Sequence, residues 1–232
     1  MELQFFGTSG AVPAAGDGNV SFLLSVEKTT VLVDLSGNPV ANLLRAGVDP
    51  LGLDAVVLTH AHPDHLYALP SLVQSLWLMK RRRPLHFFTN PQTAEKARAL
   101  LDLFGLLHKP GGCELLWTMD GDTPIEVSTS TRMTLFPVRH SIPTSGVRVE
   151  SRDAAAAYSA DTAPCPGLLE AARGCQALIH EASGPETRKE ELNEAGHTAG
   201  AQAGQIAAAA GVATLFLCHF DRSGGSSAEQ MM

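Results

Sequence analysis

A chain of 232 residues with 44% apolar content is the size of one domain with a substantial buried core, and residues 1–232 read as a single domain. Its formal net charge of -7 speaks against a surface that grips nucleic acid without sequence preference, because such binding sets many Lys and Arg against phosphates. No run of about 18 apolar residues occurs, and Met1-Glu2-Leu3-Gln4 lacks the basic start and apolar stretch of a signal peptide, so the expectation is a soluble, cytoplasmic protein with no membrane partner.

The first third reads as short strands and turns: a strand at 3–6, a Gly- and Pro-bearing loop at 7–18, strands at 21–26 and 30–33, then a helix at 39–46. A compact apolar strand follows at 54–59. Leu66, Leu69, Leu72, Val73, Leu76 and Met79 recur at helical spacing and predict a helix over 66–80, with Trp77 and Met79 on its core-facing stripe. The basic run Lys80-Arg81-Arg82-Arg83 then complements that helix's C-terminal dipole and stays solvated. A second strand and helix are predicted at 85–88 and 93–107; His86 and His108, without a partner motif, read as structural or surface residues. Hairpin-like strands are predicted at 125–128, 133–138, 147–150 and 154–159. Beyond them helix and strand alternate at 167–173, 177–179, 199–210 and 214–218, with Gly211 ending the Ala-rich helix. Cys113, Cys165, Cys175 and Cys218 form no Cys-x-x-Cys pair and are expected to be reduced thiols. Strands mixed with helices throughout point to a layered α/β domain.

Nine histidines stand out, and three of them share six residues with a carboxylate: His60-Ala61-His62-Pro63-Asp64-His65, in a predicted strand-to-helix loop. Nitrogen and oxygen donors at that density suit zinc or a similar first-row ion. Further polar residues follow short apolar strands: His140, Asp161, His180-Glu181 and His219. Strand ends of a packed sheet converge on one rim, where α/β folds build ligand sites. His197 precedes the helix predicted from Ala199, with Thr198 as its expected N-cap, where free backbone N–H groups would favour an anion.

The motif His60-x-His62-x-Asp64-His65 resembles the signature of the metallo-β-lactamase fold superfamily. Phe6-Gly7-Thr8-Ser9-Gly10-Ala11-Val12-Pro13, His140-Ser141-Ile142-Pro143-Thr144, Tyr158-Ser159-Ala160-Asp161-Thr162, His180-Glu181-Ala182-Ser183, Gly196-His197-Thr198-Ala199 and His219-Phe220 are similar, in the same order, to blocks of its ribonuclease Z-like branch. The resemblance implies a four-layer αββα sandwich and a metal-dependent hydrolase. It further implies two divalent ions, zinc first and manganese or iron as alternatives. His60, His62 and His140 would bind one, Asp64, His65 and His219 the other, with Asp161 bridging. Such a pair shares a nucleophilic oxygen and clamps the attacked phosphoryl group. His197 would contact the scissile phosphate and help the leaving oxygen depart. Asp64 doubles as a candidate proton acceptor. Glu181 either orients His197, relays a proton or serves as a simple ion pair. His180 is expected to point inward as a support rather than bind metal.

The chain departs from that branch in three places. Asp34-Leu35-Ser36-Gly37-Asn38 stands where relatives carry Asp-Cys-Gly-Glu-Gly, and Ala68 stands where Gly is common. The interval between His140 and Asp161 is too short for the Gly- and Pro-rich arm with which tRNA-processing members hold tRNA. The expected function is therefore hydrolysis of a small or nucleotide-like phosphodiester, with RNA as a less favoured partner and a homodimer allowed. A tRNA 3′-end endonuclease and a lactonase or thiolesterase are the alternatives.

Overall fold

The computed structural model describes residues 1–119 and 125–221. The chain builds two six-stranded sheets. The first holds, in spatial order, β1 (Glu2–Gly7), β2 (Ser21–Val26), β3 (Thr29–Val33), β4 (Ala55–Leu58), β5 (Leu85–Thr89) and β6 (Leu115–Met119). β1 to β3 pair antiparallel, and β3 to β6 run parallel. The second sheet runs from β7 (Ile125–Ser128) through β8 (Thr131–Pro137), β9 (Ser145–Glu150), β10 (Ala155–Tyr158) and β11 (Ala177–Glu181) to β12 (Thr214–Cys218). There the β10, β11 and β12 strands are parallel.

The inner faces meet in a core that includes Phe22, Val33, Val57, Phe88, Leu135, Val149 and Ile179. α1 (Pro39–Arg45), α3 (Leu69–Leu78) and α4 (Pro91–Leu103) cover the outer face of the first sheet, burying Leu43, Leu72 and Leu101 against Leu32, Val56 and Phe87. α5 (Pro166–Ala172) and α7 (Gly200–Ala210) cover the second, through Leu168 and Ala207 on Ala157 and Leu178. This is the expected four-layer αββα sandwich. All four residues of β4 (AVVL) are buried, as a parallel strand covered on both faces requires. Asn38 and Asn90 cap α1 and α4 by accepting from Ala41 and Thr93 N–H groups, and Gly211 ends α7 at φ +72°.

Several expectations are corrected. The helix predicted over 66–80 is two, α2 (Pro63–Leu66) and α3, broken where Ala68 leaves helical geometry. Asp64 and His65 thus stand in the first turn of a helix, and only His60 and His62 on the preceding segment. The helix predicted at 93–107 spans Pro91–Leu103, and β6 and α6 (Lys189–Ala195) were not anticipated. Trp77 is only half-buried, with the Lys109 ammonium 4.3 Å over its ring. The basic run is not uniformly solvated either. Arg81 is 2% exposed, and its guanidinium donates to the carbonyls of Pro50, Leu51, Leu53, Arg83 and Pro84. Burial of that cation is tolerable because carbonyl oxygens replace its water. Arg83 pairs with Asp54 at the surface. All four cysteines are free, with Cys175 and Cys218 buried.

The parallel strands of both sheets point the same way, so their C-terminal ends form one rim. Asp34 follows β3, Thr59 and His60 follow β4, Asp161 follows β10, and His219 follows β12. Asp34, Ala160 and His219 take left-handed backbone at φ +54°, +52° and +57°. For non-glycine residues that conformation costs about 1–2 kcal/mol each, and it turns the chain sharply at the rim.

Candidate metal centre

His60 Nε2 and His140 Nε2 each lie 3.1 Å from His62 Nδ1. Three imidazole lone pairs aimed at one point repel unless a cation lies among them. Beside them Asp64, His65 and His219 form a second group, and Asp161 is close to both: its Oδ2 is 3.7 Å from His60 Nε2, 3.5 Å from His65 Nε2 and 3.0 Å from His219 Nε2. His65 Nε2, His219 Nε2 and Asp161 Oδ1 are buried yet make no hydrogen bond. Orphaned buried donors and acceptors of this kind are rare unless a ligand satisfies them. The residues present therefore fit divalent metal.

The outward-facing nitrogen of each of four rings is held by the chain. Asp34 accepts from His65 Nδ1–H at 2.8 Å and from the Thr59 N–H and hydroxyl. The Thr59 oxygen in turn lies 3.0 Å from His60 Nδ1 and accepts from it. His140 Nδ1–H donates to the Gly196 carbonyl at 2.9 Å, and His219 Nδ1 lies 3.0 Å from the Ser183 hydroxyl. Each ring is thereby locked in the tautomer that leaves Nε2 free for the centre.

Gly196 ends α6 at φ +87°, and a Cβ there would sit 3.0 Å from His140 Cα, its Nδ1 and Ser141 N. Only glycine brings the carbonyl to the ring. Gly10, in the opening loop, has a similar reason: its Cβ would lie 3.0 Å from the His219 ring.

Electrostatics divide the cluster. Burial pushes His60, His62 and His140 below the ordinary imidazole range, and neighbouring imidazoles add to it. Burial works against charge on His65 and His219 too, but Asp161 outweighs it with help from Asp34 or Asp64. His65 is held well above its usual value, and His219 is pushed up to about 10. Asp64 and Asp161 stay far below the carboxylate range, since His219 and His65 overcome the cost of burying them.

His197 stands beside this cluster, its ring centroid 4.9 Å from that of His140 and 5.4 Å from that of His219. Its Nδ1–H donates to Glu181 Oε1 at 3.0 Å. Burial disfavours its charged form, yet Glu181 raises its pKa overall. Glu181 is fully buried and accepts as well from the Thr162 and Thr198 N–H groups and the Ser183 hydroxyl. Thr198 is not the N-cap of α7. Ala199 is, and Thr198 gives its hydroxyl to the Thr162 carbonyl. The N–H groups of Thr198, Ala199 and Gly200 go to Glu181, Gln202 and the Gly184 carbonyl, so they offer no anion site of the kind expected there. His180 is buried, donates from Nδ1 to the Glu181 carbonyl and belongs to no metal group.

Residues 29–220 match the model of the β-lactamase superfamily domain. The chain belongs to the metallo-β-lactamase superfamily. Among relatives in that superfamily, a ribonuclease Z of Mycobacterium marinum is 30% identical over 241 residues, covering 95% of this chain and 86% of the relative. The metallo-β-lactamase fold protein YhfI from Bacillus subtilis superposes with a TM-score of 0.80 at 22% identity, over 94% of this chain and 85% of that one. A diphosphatase of the PhnP family superposes at 0.76 and 18% identity, over 94% and 86%. At those identities the structural likeness speaks for the fold. Membership makes the chain a hydrolase with a metal-binding cluster. Among the described residues no helix is long and apolar enough to cross a membrane.

The structure brings all seven predicted ligands together, with His197 and Glu181 beside them. Sequence reasoning missed Asp34, Thr59, Ser183 and Gly196. A signal existed for Asp34: it follows an apolar strand, as His140, Asp161 and His219 do.

Proposed function

We propose that the chain is a two-ion phosphodiesterase acting on small or nucleotide-like diesters, with zinc as the first candidate metal and manganese or iron as alternatives. His60, His62 and His140 would hold one ion and Asp64, His65 and His219 the other, with Asp161 shared. Bound ions supply Lewis-acid charge that polarises a phosphoryl group and makes water nucleophilic near neutral pH. The remaining work falls to the chain's own residues. Asp64, beside His65 and His219, would accept the proton of an attacking water. His197, its Nδ1–H fixed by Glu181, would give a proton to the departing oxygen.

This His197–Glu181 pair beside the ligand cluster is the observation that carries the reading. A lactonase or thiolesterase would keep the metal ligands without needing a cation at a phosphate-like position. The small-substrate preference rests on residues 141–160, which hold a short loop and the β9–β10 strand pair and no arm. Without an arm, and with net charge -7, little surface is left for the many phosphate contacts that long RNA needs.

A second reading, a tRNA 3′-end endonuclease, is favoured by the identity to a ribonuclease Z. A panel of a nitrophenyl phosphodiester, a cyclic nucleotide, a lactone and a precursor tRNA, on zinc- and manganese-loaded protein, separates these. Turnover of the small diesters with weak or misplaced tRNA cleavage is expected. Efficient, correctly placed tRNA cleavage at physiological salt would overturn the small-substrate reading and promote the second.

A further inference from the structure

We infer that Ser183 is a positioning residue that ties the metal ligand His219 and the acid His197 to one buried carboxylate, Glu181. The inference rests on the two-ion reading above. Ser183 is 4% exposed, in the turn after β11, and its hydroxyl has one hydrogen to give. Glu181 Oε2 lies 2.6 Å away and already accepts the Thr198 N–H, so the hydroxyl donates to it. The lone pairs of the same oxygen face His219 Nδ1 at 3.0 Å and His197 Nδ1 at 3.3 Å. His219 therefore keeps a hydrogen on Nδ1, and its Nε2, 3.0 Å from Asp161 Oδ2 and 3.7 Å from Asp64 Oδ2, is the atom left to meet an ion.

The two rings are stacked, 5.4 Å between centroids and 15° between planes, and both are anchored through Nδ1 to the Glu181–Ser183 unit. One ring nitrogen of His197 lies within 4.8 Å of the donor atoms of His219 and Asp161. A shift of the Ser183 oxygen is thus passed to the ligand and to the acid together. His60, His65 and His140 are insulated from it, because Thr59, Asp34 and Gly196 hold them.

The test is a calorimetric zinc titration of the full chain carrying Ser183→Ala, Ser183→Thr or Ser183→Val, the last two being of similar shape with and without the hydroxyl. In Ala and Val the second ion should bind about 10- to 100-fold more weakly while the first is unchanged, and Thr should bind it more tightly than Val. At saturating zinc, kcat for aryl phosphodiesters should fall most for poor leaving groups in Ala and Val, with KM little changed. Equal second-ion affinity in Thr and Val, or equal weakening of both ions, would overturn the inference alone. A wild-type chain that binds one ion would overturn the two-ion reading, and this inference with it.

Discussion

Loading the cluster with zinc at pH 7.5 should release about two protons per chain, nearly all with the ion that takes Asp64, His65 and His219, because a ligating imidazole must be neutral. In the ion-free protein His219 is pushed up to about 10 and His65 stands well above its usual value, so both carry a proton at neutral pH. His60, His62 and His140 are held below theirs and have none to lose. Two protons displaced means that apparent affinity for the second ion rises about 100-fold per pH unit through the neutral range. Affinity for the first should be nearly flat above about pH 6.5. Stability follows with opposite signs. Both pKa values are raised on folding, so in the ion-free protein their contribution is full below the unfolded value of about 6.5 and is lost as pH climbs toward 10. The zinc-loaded form should gain stability over the same window. Calorimetric titration in buffers of different ionisation enthalpy counts the protons directly. Fewer than about one released with the second ion would refute the assignment of charge to His65 and His219.

Three substitutions test other parts of the design. Gly196→Ala should cost about 2 kcal/mol or more, from a left-handed Cβ and its collision with His140, and should weaken the first ion; a chemical melt with zinc titration reads both. His197→Ala should leave ion binding intact and slow diester hydrolysis by about 10²- to 10⁴-fold, and unchanged turnover of a poor leaving group would place His197 outside the reaction. Arg81→Met should destabilise the chain by about 3–5 kcal/mol, because several buried carbonyls lose their donor, with kcat at saturating zinc little altered.

Patterns with a strong local cause were legible before the structure. β4 reads as a buried strand because nothing polar interrupts Ala55-Val56-Val57-Leu58, and Gly211 stops α7 because few other residues take φ +72°. The ligands were legible because His140, Asp161 and His219 each follow an apolar strand, and because the ordered motifs resemble a known branch. What escaped depends on tertiary context. Asp34 passed as the first residue of an otherwise altered loop, since its work is done on His65, 31 positions away. Ser183 and Gly196 act through a hydroxyl and a carbonyl that no spacing rule marks. α6, Lys-Glu-Glu-Leu-Asn-Glu-Ala, buries Leu192 alone and has no apolar period to detect. Arg81 looks like its solvated neighbours until Pro50, Leu51 and Leu53 are seen to converge on it.

Each group of ligands draws on both sheets: His60, His62, Asp64 and His65, with Asp34 behind them, belong to the first, and His140, Asp161 and His219, with Glu181 behind His197, to the second. No ion can therefore find its full set of donors until the sheets have packed face to face. Contacts such as Asp64 with His219 close a loop of most of the chain, and the entropy of closing such a loop must be met before the contact rewards it. Metal is therefore expected to bind a finished rim rather than serve as the template on which the chain folds, as it does for a zinc finger, and to slow separation of the layers more than it speeds their assembly. Chelated protein should refold at nearly the rate of loaded protein and unfold much faster.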